Sequence, residues 1–266
     1  MRVAAGFAFA LLAAAFPAGA ARAADDSDKP DAVPYRPTVS TPAALSAPGW
    51  LEGEFGGFLI RNRHADDGVD RRTSIPYTLK YAFTDDWGLR VGGEAYAHGR
   101  NGDGSTDSGF GDTMLVAKRR FAIDQASAFG LEVGAAFPTA RSALQTGSGK
   151  TDWSLNGIYS ADVGAWHADV NLVNTRLGAK SEGQSRLQTL GAFALSRPVS
   201  ERWTAAAELS GTRQRGAPGT AQFLAAMSVA LRRDLVVDFG AAHGLNRASP
   251  TWQAFAGVTL VLGRLD

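Results

Sequence analysis

The chain contains no cysteine and has a nearly even charge balance, with 27 lysines and arginines against 26 aspartates and glutamates in 266 residues. Without cysteine there can be no disulfide framework and no thiolate metal site. Without a basic excess, the chain lacks the usual feature of a nucleic-acid-binding protein. It also lacks, beyond its N-terminal region, any run of about 18 apolar residues, so we expect no helical membrane anchor there.

The first residues have the pattern of an export signal. Arg2 gives a positive start, Phe7 to Phe16 is a short apolar core, and Ala21-Arg22-Ala23 fits the small-x-small cleavage pattern. We therefore predict that residues 1–23 are a signal peptide, cleaved after Ala23. The mature chain is expected to be exported.

From Trp50 onward, apolar and polar side chains alternate in one segment after another. The clearest unit, Ile75 to Ala97, is a predicted hairpin around the turn Thr84-Asp85-Asp86. Side chains on a strand point to opposite faces in turn, so each strand has an apolar face and a polar face that carries Lys80 and Arg90.

About twelve such strands are predicted over residues 50–266. Long polar loops alternate with short turns, and most segments reach the roughly 9–11 residues that a tilted strand needs to cross a bilayer. An even strand number, long extracellular loops and short periplasmic turns are typical of outer-membrane β-barrels. The sequence therefore predicts an all-β fold, a transmembrane antiparallel β-barrel of about twelve strands in the cell outer membrane of a Gram-negative bacterium, preceded by a cleaved signal peptide and a proline-rich segment.

A soluble periplasmic barrel or sandwich would show the same period, with its apolar face turned inward. Strand length favours the membrane barrel, and so do small outward alanines and glycines and the aromatic residues near the predicted periplasmic ends. These aromatic residues are Trp87, Phe121, Phe129, Trp166 and Trp203.

The segment between the signal and the strands, residues 24–49, is rich in proline and poor in bulky apolar side chains. Proline blocks helix formation and removes ladder donors, so the segment should be extended. Composition favours a mobile periplasmic tail or linker. A segment that tucks into the barrel or meets a periplasmic partner is the alternative.

Charged residues of both signs fall on the predicted inward face. Because buried charges must be paired or hydrated, they could line a path for a solute through the barrel, or they could form a paired network that fills a narrow lumen. The lumen-lining candidates are Glu52, Glu54, Lys80, Arg90, Glu94, Asp112, Lys118, Arg120, Glu132, Asp152, Asp169, Arg186, Glu208 and Asp238.

Two features resemble catalytic or binding chemistry without completing it. The stretch Gly147 to Thr151 resembles a phosphate-binding loop, but Leu144 occupies a required glycine position and no helix follows. The predicted register points His98 and His167 into the lumen, and neither has an evident serine partner. We therefore expect no enzyme, cofactor or metal site; a lipid-hydrolysing barrel enzyme is the less favoured alternative.

Three glycine-rich stretches carry a family resemblance: Ser108 to Thr113, Gly130 to Thr139, and Gly147 to Asp152. They resemble the outer-membrane barrel family named for the meta-cleavage pathway of phenol degradation, in which a G-x-G-D strand start is followed by a strand that ends in Pro-Thr-Gly. Ala140 stands where that family usually has the last glycine. The resemblance spans residues 50–266 and implies a transporter without catalytic residues.

The sequence as a whole predicts an outer-membrane channel or transporter for small molecules, and the family resemblance implies aromatic or other apolar compounds as candidate solutes. A non-conducting structural or surface-interaction barrel is the alternative. The expected partners are outer-membrane lipids and a small-molecule solute, and no nucleic acid. The pattern leaves the oligomeric state open.

Overall fold

A computed structural model describes residues 29–62, 69–140 and 148–265. The predicted signal peptide, residues 1–23, and the phosphate-loop-like residues up to 147 lie outside these ranges. No helix in the described residues is long and apolar enough to span a membrane.

The described residues form thirteen β-strands. Their bounds are β1 Trp50–Arg61, β2 Val69–Ala82, β3 Trp87–Asn101, β4 Thr106–Gly109, β5 Thr113–Ala122, β6 Ser127–Phe137, β7 Asp152–Val163, β8 Trp166–Arg176, β9 Leu187–Pro198, β10 Trp203–Gln214, β11 Gln222–Arg232, β12 Leu235–Gly244 and β13 Trp252–Arg264.

The strands close into one antiparallel barrel. Each spanning strand pairs with its sequence neighbours, and β1 pairs with both β2 and β13, which closes the ring. Strands β4 and β5 share one place in the wall, because the pairs Ala97–Gly109 and Gly93–Thr113 keep a single register along β3. The wall therefore has twelve strand positions, which confirms the predicted twelve-stranded barrel.

The burial of side chains distinguishes the membrane barrel from a soluble one. Glu208 and Asp238 on the inner face are only 1% and 2% exposed, whereas Val133 and Leu172 on the outer face are 50% and 53% exposed. A face with many exposed large apolar side chains is stable against lipid and not against water. The predicted aromatic residues at the strand ends, such as Trp87 and Trp166, are also exposed on this face.

The predicted hairpin register holds up to Glu94 and then changes face. A bulge on β3 pairs Ile75 with Tyr96 while the next residue of β2 pairs with Glu94. One extra residue reverses the facing of every later side chain. Tyr96 is therefore 44% exposed on the outside and Ala97 is fully buried inside. The prediction that His98 points into the lumen was wrong for the same reason.

Short turns at one end of the barrel are closed by local hydrogen bonds. Asp124, between β5 and β6, accepts hydrogen bonds from Ser127 Oγ at 2.8 Å and from the Ala126 amide at 2.9 Å. The hydrogen bond from the Ser127 hydroxyl, and to a smaller extent the one from the Ala126 amide, lower the pKa of the Asp124 carboxyl. We call this end, where β1 begins and β13 ends, the periplasmic end, since short turns face the periplasm in such barrels.

Candidate functional site

Residues 29–49, here called the N-terminal segment, run through the lumen of the barrel. The segment starts at the β11–β12 turn, where Lys29 Nζ lies 3.4 Å from Asp234 Oδ2. It then crosses the lumen to β10, β8 and β7. It returns to the periplasmic end, where Pro48 and Ala82 form an isolated parallel β-bridge beside the start of β1. Ser40 and Ala43, in the middle of the segment, are completely buried.

This path differs from the favoured expectation of a mobile periplasmic tail for residues 24–49. The alternative, a segment that tucks into the barrel, describes the structure of residues 29–49. The physical reason is that a proline-rich chain has few partners for its own amides, and the lumen wall supplies them. Residues 24–28 lie outside the described ranges.

Five wall side chains accept hydrogen bonds from backbone amides of the N-terminal segment. The pairs are Val33 N to Glu52 Oε2 at 2.9 Å, Tyr35 N to Glu54 Oε1 at 2.6 Å, Ser40 N to Glu208 Oε2 at 2.7 Å, Thr41 N to Asn171 Oδ1 at 3.1 Å and Ala43 N to Ser160 Oγ at 2.7 Å. Three of the acceptors are predicted lumen-lining carboxylates. These carboxylates hold the segment and are not free to contact a passing solute.

Tyr35 lies at the centre of a cluster of buried charges. Lys80 Nζ and Lys118 Nζ each lie 4.1 Å from the centre of its ring, and the Arg90 guanidinium carbon lies 5.7 Å away. A cation over an aromatic ring is attracted by the negative face of the ring. The tyrosine hydroxyl donates to Ala44 O at 2.7 Å, so its polar end is also satisfied.

The three cations around Tyr35 are matched by three carboxylates. Lys80 Nζ contacts Glu52 and lies 2.7 Å from Glu54 Oε1, while Glu132 is 3.2 Å from Arg90 Nη2 and 3.5 Å from Lys118 Nζ. The cluster has no net formal charge, which is the condition under which so many charges can be buried together. Six of the predicted lumen-lining residues therefore belong to one paired network.

Arg36 forms a second ionic contact with the wall. Its Nε and Nη2 atoms donate to the two carboxylate oxygens of Asp238, each at 3.1 Å. The guanidinium lies over Gly56 and Gly257, where an added Cβ would come within 2.8 Å and 2.6 Å of it. The two glycines leave the space that the arginine occupies.

The remaining predicted lumen residues have different environments. Asp169 accepts from Ser160 Oγ at 2.5 Å inside the lumen, and Glu94 is paired with Arg72 nearer the extracellular end. Arg120 is half-buried and forms no side-chain ion pair within the described residues. Arg186 is not in the wall as predicted: β9 begins one residue later, and the exposed side chain donates to carbonyls of the β8–β9 loop, including Leu177 O at 3.2 Å.

The lumen beyond the N-terminal segment has an apolar patch, which we call the lumenal apolar cluster. Phe58 stacks on Phe255 with ring centres 5.7 Å apart, beside Leu224, Ala226 and Ala242. A row of amides lines the wall towards the extracellular end, in which Gln253 donates to Gln222 at 2.6 Å and Gln222 donates to Ser210 at 3.1 Å. On this side, formed by β1 and β10 to β13, the extracellular part of the lumen is thus apolar and uncharged, in contrast to the charged network around Tyr35.

Two histidines have close partners. His98 Nδ1 lies 2.6 Å from Ser108 Oγ on the outer face near the extracellular rim, a serine partner that the sequence did not indicate. His167 Nδ1 lies 2.6 Å from Asp162 Oδ1, and its Nε2 lies 3.2 Å from Asp169 Oδ1. Neither arrangement is a catalytic triad, which needs a nucleophile, a base and an acid that orients the base: among the described residues His98 has a serine but no carboxylate, and His167 has two carboxylates but no nucleophile.

The sequence reasoning missed Tyr35, Arg36, Phe58 and Phe255 as residues of the lumen. Phe58 follows Glu52 and Glu54 at even positions of β1, and Phe255 shares its face with Gln253 on β13. The available signal was an aromatic residue at a strand position where the alternation predicts a polar side chain that faces the lumen. The place of Tyr35 had no such signal, because it depends on tertiary contacts of an irregular segment.

The pattern of residues from β3 to β13 matches that of a known protein family. The family is described as the MetA-pathway of phenol degradation, and the match covers residues 98–262, well over half of the chain. The chain belongs to this family. The family resemblance drawn from the three glycine-rich stretches is confirmed. A comparison with curated proteins found no match.

Solved outer-membrane channels share the fold of this family member. An outer membrane channel from Pseudomonas putida F1 is 17% identical, with a TM-score of 0.67 over 83% of this chain and 98% of that one. NanC porin is 8% identical, with a TM-score of 0.56 over 80% of this chain and 100% of the porin. KdgM porin is 8% identical, with a TM-score of 0.53 over 79% of this chain and 99% of the porin. Together with the exposed apolar band, this fold places the barrel in the outer membrane.

The family motifs meet at the extracellular rim of the barrel. Asp112 of the G-x-G-D stretch accepts a hydrogen bond from the Ala140 amide at 3.0 Å, and Thr139 donates to Gly111 O at 3.3 Å. Asp152, from the third stretch, accepts from the Gly178 amide at 2.7 Å. These motif residues hold strand ends and loops together, and in these contacts they act as structural residues.

Proposed function

We propose that this barrel is an outer-membrane uptake channel for small apolar or aromatic molecules, and that the N-terminal segment closes its periplasmic half. The observation that carries the proposal is the lumenal apolar cluster, whose stacked rings Phe58 and Phe255 lie in the extracellular part of the lumen. Aromatic side chains bind apolar solutes by burying area and by ring contacts. The phenol-degradation family is consistent with solutes of this kind.

The distribution of charge supports the same proposal. Most of the carboxylates and cations near the periplasmic end are paired with the N-terminal segment or with each other, as in the cluster around Tyr35. On the side formed by β1 and β10 to β13, the extracellular part of the lumen offers phenylalanine rings and uncharged amides instead. A solute that enters from outside would therefore meet an apolar surface before it meets the segment that blocks the way.

Uptake of a labelled aromatic compound tests this function. We expect cells that display the barrel to take up radiolabelled toluene faster than cells without it. Replacing Phe58 and Phe255 together by alanine should slow uptake at least roughly fivefold, since two aromatic contacts of about 0.5–1.5 kcal/mol each are lost. The matched control is Phe239→Ala, a phenylalanine of β12 that is 45% exposed on the lipid face.

The competing function, a non-conducting structural barrel, predicts the opposite result. Toluene uptake equal in cells with and without the barrel would contradict the channel. Sucrose that entered proteoliposomes faster than toluene entered the cells would contradict the apolar solute class. The Phe239→Ala control should keep the uptake rate of the wild type.

The contact between His98 and Ser108 favours one other candidate, a lipid-hydrolysing barrel enzyme. A serine nucleophile needs a base that is itself held by a third group, and the described residues place no carboxylate on His98. We propose that the protein transports and does not hydrolyse. Phospholipid vesicles containing the barrel should release no fatty acid, and Ser108→Ala should change nothing. Release of fatty acid that Ser108→Ala abolished would reverse this assignment.

A further inference from the structure

Two arginines lie on the lipid-facing side of the barrel near its periplasmic end. Arg119 is in β5 and Arg197 is in β9, and both side chains are exposed. Between them, the outward positions in the periplasmic half of β6, β7 and β8 carry no charge. A cation on the lipid face is costly at the middle of the bilayer and tolerated near the interface. Both arginines are therefore at a depth where headgroups can reach them.

Arg119 is held between two aromatic rings. Trp87 is its direct cross-strand partner on β3, and the guanidinium carbon lies 5.1 Å from the centre of the Trp87 ring. The same carbon lies 4.5 Å from the centre of the Phe121 ring, two residues along β5. The two rings hold the guanidinium among the exposed aromatic residues at the periplasmic ends of the strands.

Arg197 repeats this arrangement on the other side of β7. The pair His167–Ser196 places Trp166 opposite Arg197, and the guanidinium carbon lies 5.5 Å from the Trp166 ring. In both cases the tryptophan is the first residue of a strand that rises from a periplasmic turn. Two places in the wall thus present the same tryptophan–arginine pair to the lipid at the same end of the barrel.

Neither arginine is neutralised by a carboxylate among the described residues. Stacking uses the face of a guanidinium and leaves its N–H edge free to donate. That edge matches the oxygens of a phosphate group, and guanidinium is the side chain best suited to bind one. A lipid-facing, unneutralised guanidinium with a free edge has the hydrogen-bond donors and the charge that an anionic headgroup requires.

We propose that the pairs Trp87–Arg119 and Trp166–Arg197 each bind the phosphate group of a phospholipid in the periplasmic leaflet. The aromatic ring covers the start of the acyl chains while the arginine donates to the phosphate oxygens. Charge complementarity selects an anionic phospholipid such as phosphatidylglycerol. The sites fix the depth of the barrel in the membrane and do not depend on whether a solute passes through the lumen.

Lipid retention by the purified full-length barrel tests this proposal. The protein is incubated in detergent with phosphatidylglycerol or with a diacylglycerol of the same acyl chains, and bound lipids are counted by native mass spectrometry. We expect wild-type barrel to retain phosphatidylglycerol and to release the diacylglycerol, which has no phosphate. Arg119→Gln and Arg197→Gln should each weaken phosphatidylglycerol binding at their own site about fivefold and leave the other site unchanged, as expected for the loss of one arginine near a charged headgroup.

The matched control is Arg120→Gln. It lies next to Arg119 in the same strand and removes the same charge, but its side chain faces the lumen, so retention should equal that of wild type. Equal loss in Arg119→Gln and Arg120→Gln would show an effect of net charge alone and overturn the sites. Retention of lipid A without phosphatidylglycerol, in a competition of the two, would overturn the assignment to the periplasmic leaflet.

Discussion

Deletion of residues 29–47 is expected to open the lumen and raise the single-channel conductance of the purified barrel severalfold or more. The segment occupies the periplasmic half of the lumen, where Ser40 and Ala43 are completely buried, so its removal should leave a path that water can fill. The barrel should remain, because every strand-to-strand pairing is formed within residues 50–264. The measurement is conductance in a planar bilayer, with heat-modifiable gel migration as the check that the barrel is folded.

A reversible disulfide between the N-terminal segment and the wall tests whether the segment moves during transport or stays in place. The chain has no cysteine, so an introduced pair can form only one disulfide. Ala43→Cys with Gly130→Cys is suitable, since a Cβ at Gly130 would lie 3.3 Å from the Ala43 Cα. If the segment moves during transport, the oxidised variant should take up no toluene and a reductant should restore uptake. Uptake by the oxidised variant at the wild-type rate would show that solutes do not need this movement.

Replacement of Lys80 by methionine is expected to cause the largest loss of stability of any single substitution proposed for this barrel. Lys80 is 2% exposed and contacts Glu52 and Glu54, which are 1% and 4% exposed. Methionine leaves both carboxylates buried without their cation, which should cost about 3–5 kcal/mol of the free energy of unfolding. Urea unfolding of the barrel in detergent measures this change.

Two further variants serve as controls for the Lys80→Met substitution. Lys150→Met removes an exposed lysine near the extracellular rim and should change the free energy of unfolding by less than about 0.5 kcal/mol. In the variant that lacks residues 29–47, Lys80→Met should cost much less, because water then reaches Glu52 and Glu54. An equal cost with and without the segment would mean that the charges around Tyr35 are not desolvated by it.

The charged network gives the N-terminal segment a specific place and not merely a space to fill. Its backbone amides need acceptors, and Glu52, Glu54 and Glu208 provide them on different sides of the lumen. A hydrophobic plug would bind the same lumen by area alone and would slide more easily. The paired charges therefore favour one closed arrangement of the segment. If the segment leaves the lumen, the water that enters solvates the same charges and offsets part of the lost interactions.

The sequence determined the barrel because the alternation of side chains is a local property. Period-two patterning marked the strands, and the lengths of strands and loops separated a membrane barrel from ordinary sheets. The pattern even assigned Glu52, Lys80 and Asp238 to the inner face, where they are buried. It failed at the bulge after Glu94, because one extra residue on β3 changes the facing of Tyr96 and His98 without changing the composition.

Only the tertiary structure decided what the inner face does. Composition favoured a mobile tail for residues 24–49, since proline prevents regular structure whether a segment is free or bound. The partners of Tyr35 and Arg36 come from strands as distant in sequence as β2 and β12, and no local pattern encodes such pairs. Local alternation thus fixes which side chains enter the lumen, whereas closure of the ring fixes which of them meet and what they hold.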